Sequence, residues 1–231
     1  TSFKSDNKIL DCLNSIDKNI KVLIIENSDN FKFKVKIEKT YPNCQCILAG
    51  SNLGYANGNN LGLSKIKTKY ALILNPDAIL EPSSIKNFFE TAKKNPNFAI
   101  IGPLVQESKD VSINYVKNEL VSVSNVKGFA MFLNLKEFSE IGFFDSNFFI
   151  YFEEIDLCRR VKTLNKEIYL DPTIEIYHLG GSSHDKEVNF EMELSRNWHW
   201  MWSTFYYQKK YNGFLIAFIK ILPKLLSSFI K

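Results

Sequence analysis

Short apolar runs, each closed by a cluster of turn-forming polar residues, constrain this chain most. Lys21-Val22-Leu23-Ile24-Ile25 stops at Glu26-Asn27-Ser28-Asp29-Asn30, and Tyr70 to Leu74 stops at Asn75-Pro76-Asp77. Runs bounded this way read as strands buried on both faces. Residues 44–48 and Ala99-Ile100-Ile101-Gly102-Pro103 read the same way. Helical patterns lie between them. Ile9, Leu10, Leu13 and Ile16 share one stripe over 8–17, and a helix fits 83–94, closed by Asn95-Pro96. Phe31, Phe33, Val35 and Ile37 alternate with Lys, which reads locally as a strand, although the order of elements asks for a helix there. Strands alternating with helices over residues 8–105 predict an α/β layered domain with a largely parallel sheet.

The second half is less regular. Residues 106–125 read as loop with weak strand. Val126 to Leu133 is mostly apolar, a short helix fits 136–141, and Glu153 to Thr163 is helical. Short strands are expected at 167–170 and 174–178, and helix from 189 onward. In a parallel sheet ligands sit at the carboxyl ends of the strands. That rule draws Glu26-Asn27-Ser28-Asp29, Gly50 to Gly62, Asn75-Pro76-Asp77 and His178-Leu179-Gly180-Gly181 toward one cleft.

The 231 residues suffice for one domain with a short appendage. Lys+Arg number 29 against 25 Asp+Glu, and Arg159, Arg160 and Arg196 are the only arginines. So mild a charge with so little Arg does not suit a nucleic-acid partner. Cys12, Cys44, Cys46 and Cys158 form no CxxC pair and read as small buried apolar side chains.

Four groups of residues carry chemistry. Asp77, just past a buried strand, suits a hard divalent cation such as Mg²⁺ or Mn²⁺; an Asp capping a turn is the plainer alternative. The segment Gly50 to Gly62 holds four Gly and four Asn and lets backbone N–H groups approach a ligand. It is neither a phosphate loop of the Gly-Lys-Ser/Thr type nor a dinucleotide fingerprint, and Gly54, Gly58 and Gly62 also suit a close helix-packing face. Glu153, Glu154 and Asp156 open a helix directly behind Phe148-Phe149-Ile150-Tyr151-Phe152. Capping of the helix dipole would explain three acids; an acid against that aromatic wall would be a stronger base near neutral pH. His178 ends a strand and is either structural or a partner for a metal or phosphate.

Taken together these residues resemble the family-2 glycosyltransferases, in particular the rhamnosyltransferase-like branch that builds bacterial surface polysaccharides. The similarity runs from Ser2 to about Ser183. It rests on Ser2-Phe3-Lys4-Ser5 ahead of Cys12-Leu13, on Glu26-Asn27-Ser28, and on Asn52-Leu53-Gly54-Tyr55-Ala56-Asn57-Gly58-Asn59-Asn60-Leu61-Gly62. It continues through Asn75-Pro76-Asp77, Gly142-Phe143-Phe144-Asp145, Phe152-Glu153-Glu154-Ile155-Asp156-Leu157-Cys158-Arg159-Arg160, and His178 with Gly181 and Ser183.

The resemblance implies a GT-A type, Rossmann-like α/β/α sandwich with a mixed, mainly parallel central sheet over residues 1–188, and C-terminal helices over 189–231. It implies transfer of a sugar from a nucleotide diphosphate donor, such as deoxythymidine diphosphate-rhamnose or a UDP-sugar, with inversion. The acceptor would be a saccharide or a lipid-linked saccharide. Glu154 is the implied base, with Glu153 and Asp156 as alternatives. Asp77 and His178 would hold the metal, and Ser2, Glu26, Asn52, Gly54, Asn57, Asn75 and Arg160 would contact the nucleotide sugar.

Three departures stand out. Glu26 and Glu154 each replace an Asp of the family pattern and reach one methylene further. The apolar strand that the pattern places ahead of the first motif has no counterpart, so the chain is expected to be a trimmed fragment. A sugar nucleotidyltransferase would want a basic Gly-rich loop that this sequence lacks, while a degenerate nucleotide-binding or scaffold subunit without turnover stays open.

Trp198, Trp200, Trp202, Phe205, Tyr206 and Tyr207 precede an apolar stretch broken by Lys220, Pro223 and Lys224. That pattern suits an interfacial helix better than a membrane span; packing on the body or on a second copy is the alternative. The expectation is a cytoplasmic protein held peripherally on the inner face of the cytoplasmic membrane through this tail.

Overall fold

The computed structural model describes residues 1–104, 119–178 and 189–229. Residues 106–118 of the expected loop, and Leu179 to Ser183, lie outside the described residues.

The first layer of structure forms around α1 (Lys8–Ser15), β1 (Val22–Glu26), α2 (Phe31–Thr40) and β2 (Cys44–Leu48). The alternating stretch at 31–37 is a helix. Asn30 caps it, its side-chain oxygen accepting from the Phe33 N–H at 3.0 Å. Helical spacing then buries Phe33 and Ile37 and leaves Phe31 and Val35 exposed. Phe33 and Ile37 join Ile9, Leu13, Ile24 and Cys46 in one apolar cluster. Strand β1 runs parallel to β2, and Ser2 forms a parallel bridge to Glu26.

The Gly/Asn segment is α3 (Gly54–Lys65), followed by β3 (Tyr70–Leu74), β4 (Ala78–Leu80) and α4 (Ser84–Lys94). The main sheet also takes β5 (Phe98–Leu104), β6 (Val121–Ser122), β7 (Ala130–Asn134) and β8 (Glu167–His178), in the order β3-β7-β5-β8-β4 with β6 on β8. It is mixed. β5 and β8 are parallel, and β7 runs antiparallel between β3 and β5. The two short strands expected at 167–178 are one strand, with a shift of register where Leu104 meets Glu175.

Alternation along β7, with register shifts between β5 and β8, sorts the central strands into two cores. Ile100, Met131, Leu133 and Ile168 pack beneath Leu157 and Val161 of α6 (Glu153–Thr163). Phe98, Ile101, Phe132 and Ile174 pack on Phe88 and Ala92 of α4. Phe132 lies among Tyr70, Phe88, Phe89 and Phe98, with ring centroids 5.0–6.1 Å apart in this cluster. Part of the aromatic content is therefore core; truncating such a ring to Ala costs about 3–5 kcal/mol. All four cysteines are free and buried.

A short α5 (Phe138–Ile141) precedes α6, and the chain ends in α7 (Asn189–Asn212) and α8 (Phe214–Phe229). Gly213, at φ +88°, turns the chain between them. Phe205 meets Phe214 and Lys224 lies over Trp200, so the two helices form an antiparallel hairpin. Between β1 and β3 lies a groove of about 1330 Å³, lined by Ile24, Ile25, Leu72 and Ile73 among others. It separates the β1–β2 pair from the main sheet.

Candidate functional site

Asp77 owes its position to a tight turn. β3 ends at Leu74, and the Asn75 N–H donates to the Phe129 carbonyl at 2.8 Å. The Ala78 N–H donates back to the Asn75 carbonyl at 3.1 Å, with Pro76 fixing the turn. β4 then pairs antiparallel with β8 and sets Ala78 opposite His178. This register brings His178 Nε2 within 3.4 Å of Asp77 Oδ1. Asp77 is buried, yet that oxygen accepts no hydrogen bond. A buried carboxylate oxygen without a donor is costly in the bare protein. The pair therefore fits a divalent cation, which commonly takes one or two protein ligands beside substrate phosphates. Among the described residues no group of three or more His, Cys, Asp or Glu could hold an ion, so phosphate and water oxygens would have to complete it.

The second corner is the start of α6. Tyr151 and Phe152 both take left-handed backbone, at φ 73° and 68°. Such residues cost about 1–3 kcal/mol each and persist only where the surroundings fix them. Here Phe148 is fully buried against Tyr206, the Phe149 carbonyl accepts from the Tyr55 N–H at 2.7 Å, and Ser203 donates to the Ile150 carbonyl at 2.8 Å. Gly54 is required beside this loop. At φ +73°, a Cβ there would lie 2.3 Å from the Phe149 carbonyl oxygen.

The strained loop delivers two acids to one place. Glu153 is buried, and its Oε2 has no hydrogen-bond partner. Burial, then the neighbouring Glu154 charge, pushes its pKa to about 8. Glu154 keeps part of its surface accessible. Burial raises its pKa too, with its own backbone amide and Lys127 drawing it back. Tyr55 is held far from ionisation by burial and by both glutamates.

Two consecutive residues join the corners. Gly128 abuts Glu154, while Phe129 stacks on the His178 ring with centroids 4.4 Å apart. The Tyr55 hydroxyl donates to the Gly128 carbonyl, and the Phe129 carbonyl holds Asn75. The metal-type pair and the acid pair are thus neighbours. Sequence reasoning missed Tyr55, Gly128 and Phe129. The available signals were a Tyr inside the Gly/Asn motif and a Gly opening the apolar run to Leu133.

The other expected residues have hydrogen-bond partners within the chain. Glu26 is wholly buried, and its carboxylate accepts from the Ser28 N–H and hydroxyl and from the Asn30 N–H. It braces the loop after β1. Ser2 is bonded to Ser5 and to the backbone of Ile25 and Asn27. Asn52 accepts from the Gly54 N–H, and Asn57 donates to the Ser146 carbonyl. Asp156 is fully buried and accepts from Arg160 at 2.8 Å, Lys210 at 2.6 Å and Tyr211 at 2.7 Å. Arg160 also clamps the carbonyls of Ile141, Gly142 and Phe143. Asp156 and Arg160 therefore fasten α7 and the 141–143 loop to α6, because neither side chain is left unengaged.

A profile of the family described as Glycosyl transferase family 2 matches residues 2–160. The low-salt glycan biosynthesis hexosyltransferase Agl10 of Haloferax volcanii is 23% identical over 201 residues, 77% of this chain and 64% of that protein. The chain thus spans just under two thirds of that relative's length. The rhamnosyltransferase WbbL of Escherichia coli is 24% identical over 234 residues, covering 87% of this chain and 86% of that one. A Mycobacterium tuberculosis N-acetylglucosaminyl-diphospho-decaprenol L-rhamnosyltransferase is 20% identical over 207 residues, 70% of this chain and 67% of that protein. Among solved structures, a Pyrobaculum calidifontis mannosyltransferase in complex with GDP-Man and Mn²⁺ superposes with a TM-score of 0.68 at 10% identity, over 88% of this chain and 61% of that one. GalNAc-T7 with UDP, GalNAc and Mn²⁺ gives a TM-score of 0.60 at 12% identity, over 76% of this chain and 42% of that one. The fold is of the GT-A type.

Proposed function

The chain belongs to glycosyl transferase family 2, and from that premise we propose that it transfers a sugar, with inversion, from a nucleotide diphosphate donor to a saccharide or lipid-linked acceptor in surface-polysaccharide synthesis. The relatives' names favour a rhamnosyl or hexosyl group, and we take deoxythymidine diphosphate-rhamnose or a UDP-sugar as its donor form. The observation that carries the reading is the Gly128–Phe129 link between the Asp77–His178 pair and the Glu153–Glu154 pair.

Asp77 and His178 would hold Mg²⁺ or Mn²⁺, which supplies positive charge to a diphosphate leaving group. The remaining roles fall to the chain itself. The acceptor hydroxyl gives its proton to Glu154 as its oxygen bonds to the anomeric carbon, and the bond from that carbon to the diphosphate breaks with its electron pair leaving on phosphate. Displacement from the opposite face inverts the carbon. Glu154 suits the base because it is partly accessible and its raised pKa strengthens it. A lipid-linked acceptor would place the protein on the inner face of the cytoplasmic membrane, touching it through the C-terminal helices.

A donor screen by NMR with Mn²⁺ tests this directly. One nucleotide sugar should be consumed, slowly with water and faster with acceptor, and Asp77→Asn should abolish the Mn²⁺-dependent part. Nucleotide binding without consumption of any donor would instead support a scaffold subunit.

A further inference from the structure

The α7–α8 hairpin carries an apolar surface that the rest of the described chain leaves uncovered. On α8, Phe214, Leu215, Ile216, Phe218, Ile219, Leu222 and Leu226 are exposed, Leu215 by 71% and Phe214 by 63%. Ala217 is buried against the hairpin. At about 100° per residue, the exposed apolar positions sweep an arc of roughly 200°. Lys220 and Lys224 stand at one margin of that arc, next to the side that carries Ala217. From Lys209 to Lys231 the chain has five Lys and no Asp or Glu. On α7, Leu194, Trp198 and Trp202 form an exposed stripe at helical spacing, Trp198 exposed by 62%.

We infer that this hairpin lies on an anionic phospholipid surface, with Phe214, Leu215, Phe218, Ile219 and Leu222 in the acyl boundary and the lysines among the headgroups. Three observations favour lipid over a second copy. The arc is far wider than the narrow seam one partner helix covers. Its margin carries Lys220, and residues 209–231, which hold all of α8, supply no Asp or Glu to face it from the α8 of a second copy. Trp and Tyr beside Lys match the polarity gradient of a bilayer interface. No helix of the described residues is long and apolar enough to cross a membrane, so the hairpin would lie along the surface.

The attachment has a consequence for the site. The same α7 holds the acid-bearing loop, since His199 stacks on Phe149 at 4.1 Å, Trp202 donates to the Asn147 carbonyl and Ser203 to that of Ile150. A surface-bound hairpin would therefore hold Glu153 and Glu154 at a fixed height above the lipid. This consequence rests on the proposed lipid-linked acceptor; binding to the surface itself does not.

Flotation of the full chain with vesicles decides it. The protein should rise with phosphatidylcholine vesicles containing phosphatidylglycerol and rise much less with phosphatidylcholine alone. Phe218→Ser with Ile219→Ser should lower partitioning by roughly tenfold or more, and Lys220→Gln with Lys224→Gln should remove the preference for anionic lipid. Circular dichroism would check that both variants stay folded, and donor hydrolysis in solution should be unchanged in both. A chain that hydrolyses donor but never floats overturns the inference and leaves the function standing. Floating without any donor turnover supports the surface and overturns the function. Light scattering showing a dimer that the Phe218/Ile219 variant splits, with no vesicle binding, assigns the face to a second copy.

Discussion

Gly128 packs directly against the side chain of Glu154: a Cβ at residue 128 would stand 3.4 Å from Glu154 Cβ, 3.5 Å from Cγ and 3.7 Å from Cδ. That distance is ordinary contact, so an alanine fits. A valine does not fit as easily, since its methyl groups extend into the space of the carboxyl-bearing chain. Gly128→Val should leave the nucleotide corner intact, because Phe129 and Asn75 keep their contacts, and should displace the base by a fraction of an ångström to an ångström. Such misplacement costs about 10²-fold in rate. Steady-state kinetics should show kcat falling while the donor KM holds. Equal loss in both would place Glu154 outside the chemistry.

The acid pair predicts how stability depends on pH. Glu153 has its folded pKa raised to about 8, and Glu154 is raised as well. The carboxyls of the unfolded chain ionise near their ordinary value, while the folded protein still holds its protons. Stability associated with these groups is thus fully present below the ordinary glutamate pKa. It is lost as pH rises toward about 8 and is constant above that. Lys127, the Tyr55 and Tyr151 hydroxyls and the Cys158 thiol are ionisable groups that face them. Urea melts of wild type should show a decline of a few kcal/mol across this window, and Glu153→Gln should flatten it. A parallel decline in both proteins would mean that the proton is held elsewhere.

Asp156 separates structure from catalysis within one helix turn. Its fully buried carboxylate accepts from Arg160, Lys210 and Tyr211. Removing its charge takes the counter-ion from Arg160 and leaves Lys210 with Asp145 alone, a loss of about 3–5 kcal/mol where such pairs are buried. Asp156→Asn should therefore lower the urea midpoint strongly while the folded fraction keeps its turnover. Full stability with lost turnover would make Asp156, and not Glu154, the base.

The parts legible in the sequence are those that depend on chain direction and period. Asp77 sits at a strand end, Glu153 and Glu154 sit at a helix start, and the strands of the core are where the apolar runs are. The Phe31–Ile37 segment shows the limit of period alone. Four alternating residues fit a strand, and the Asn30 cap decides for helix. Glu26 shows another limit. Its place at the end of the first apolar run is readable, but the donors Ser28 and Asn30 turn its carboxylate inward. The left-handed pair Tyr151–Phe152 carries no sequence mark, because neither residue favours that conformation by itself. Tertiary contacts from α3 and α7 impose it.

Those contacts make Gly54 the most exacting position in the site. It adopts φ +73°, and its missing Cβ leaves room for the Phe149 carbonyl that receives the Tyr55 N–H. Gly54→Ala adds a left-handed penalty of about 1 kcal/mol or more. It also drives a methyl into a backbone oxygen, which can retreat only by moving the loop that sets Tyr151 and Phe152. The total should reach about 2–4 kcal/mol. Stability and turnover should fall together, in contrast to Gly128→Val, which should lower turnover with little change in stability. Differential scanning calorimetry and kinetics on both variants would read this difference. An unchanged Tm in Gly54→Ala would mean that the loop carrying the acids is free to shift, and that its left-handed backbone is not held by α3.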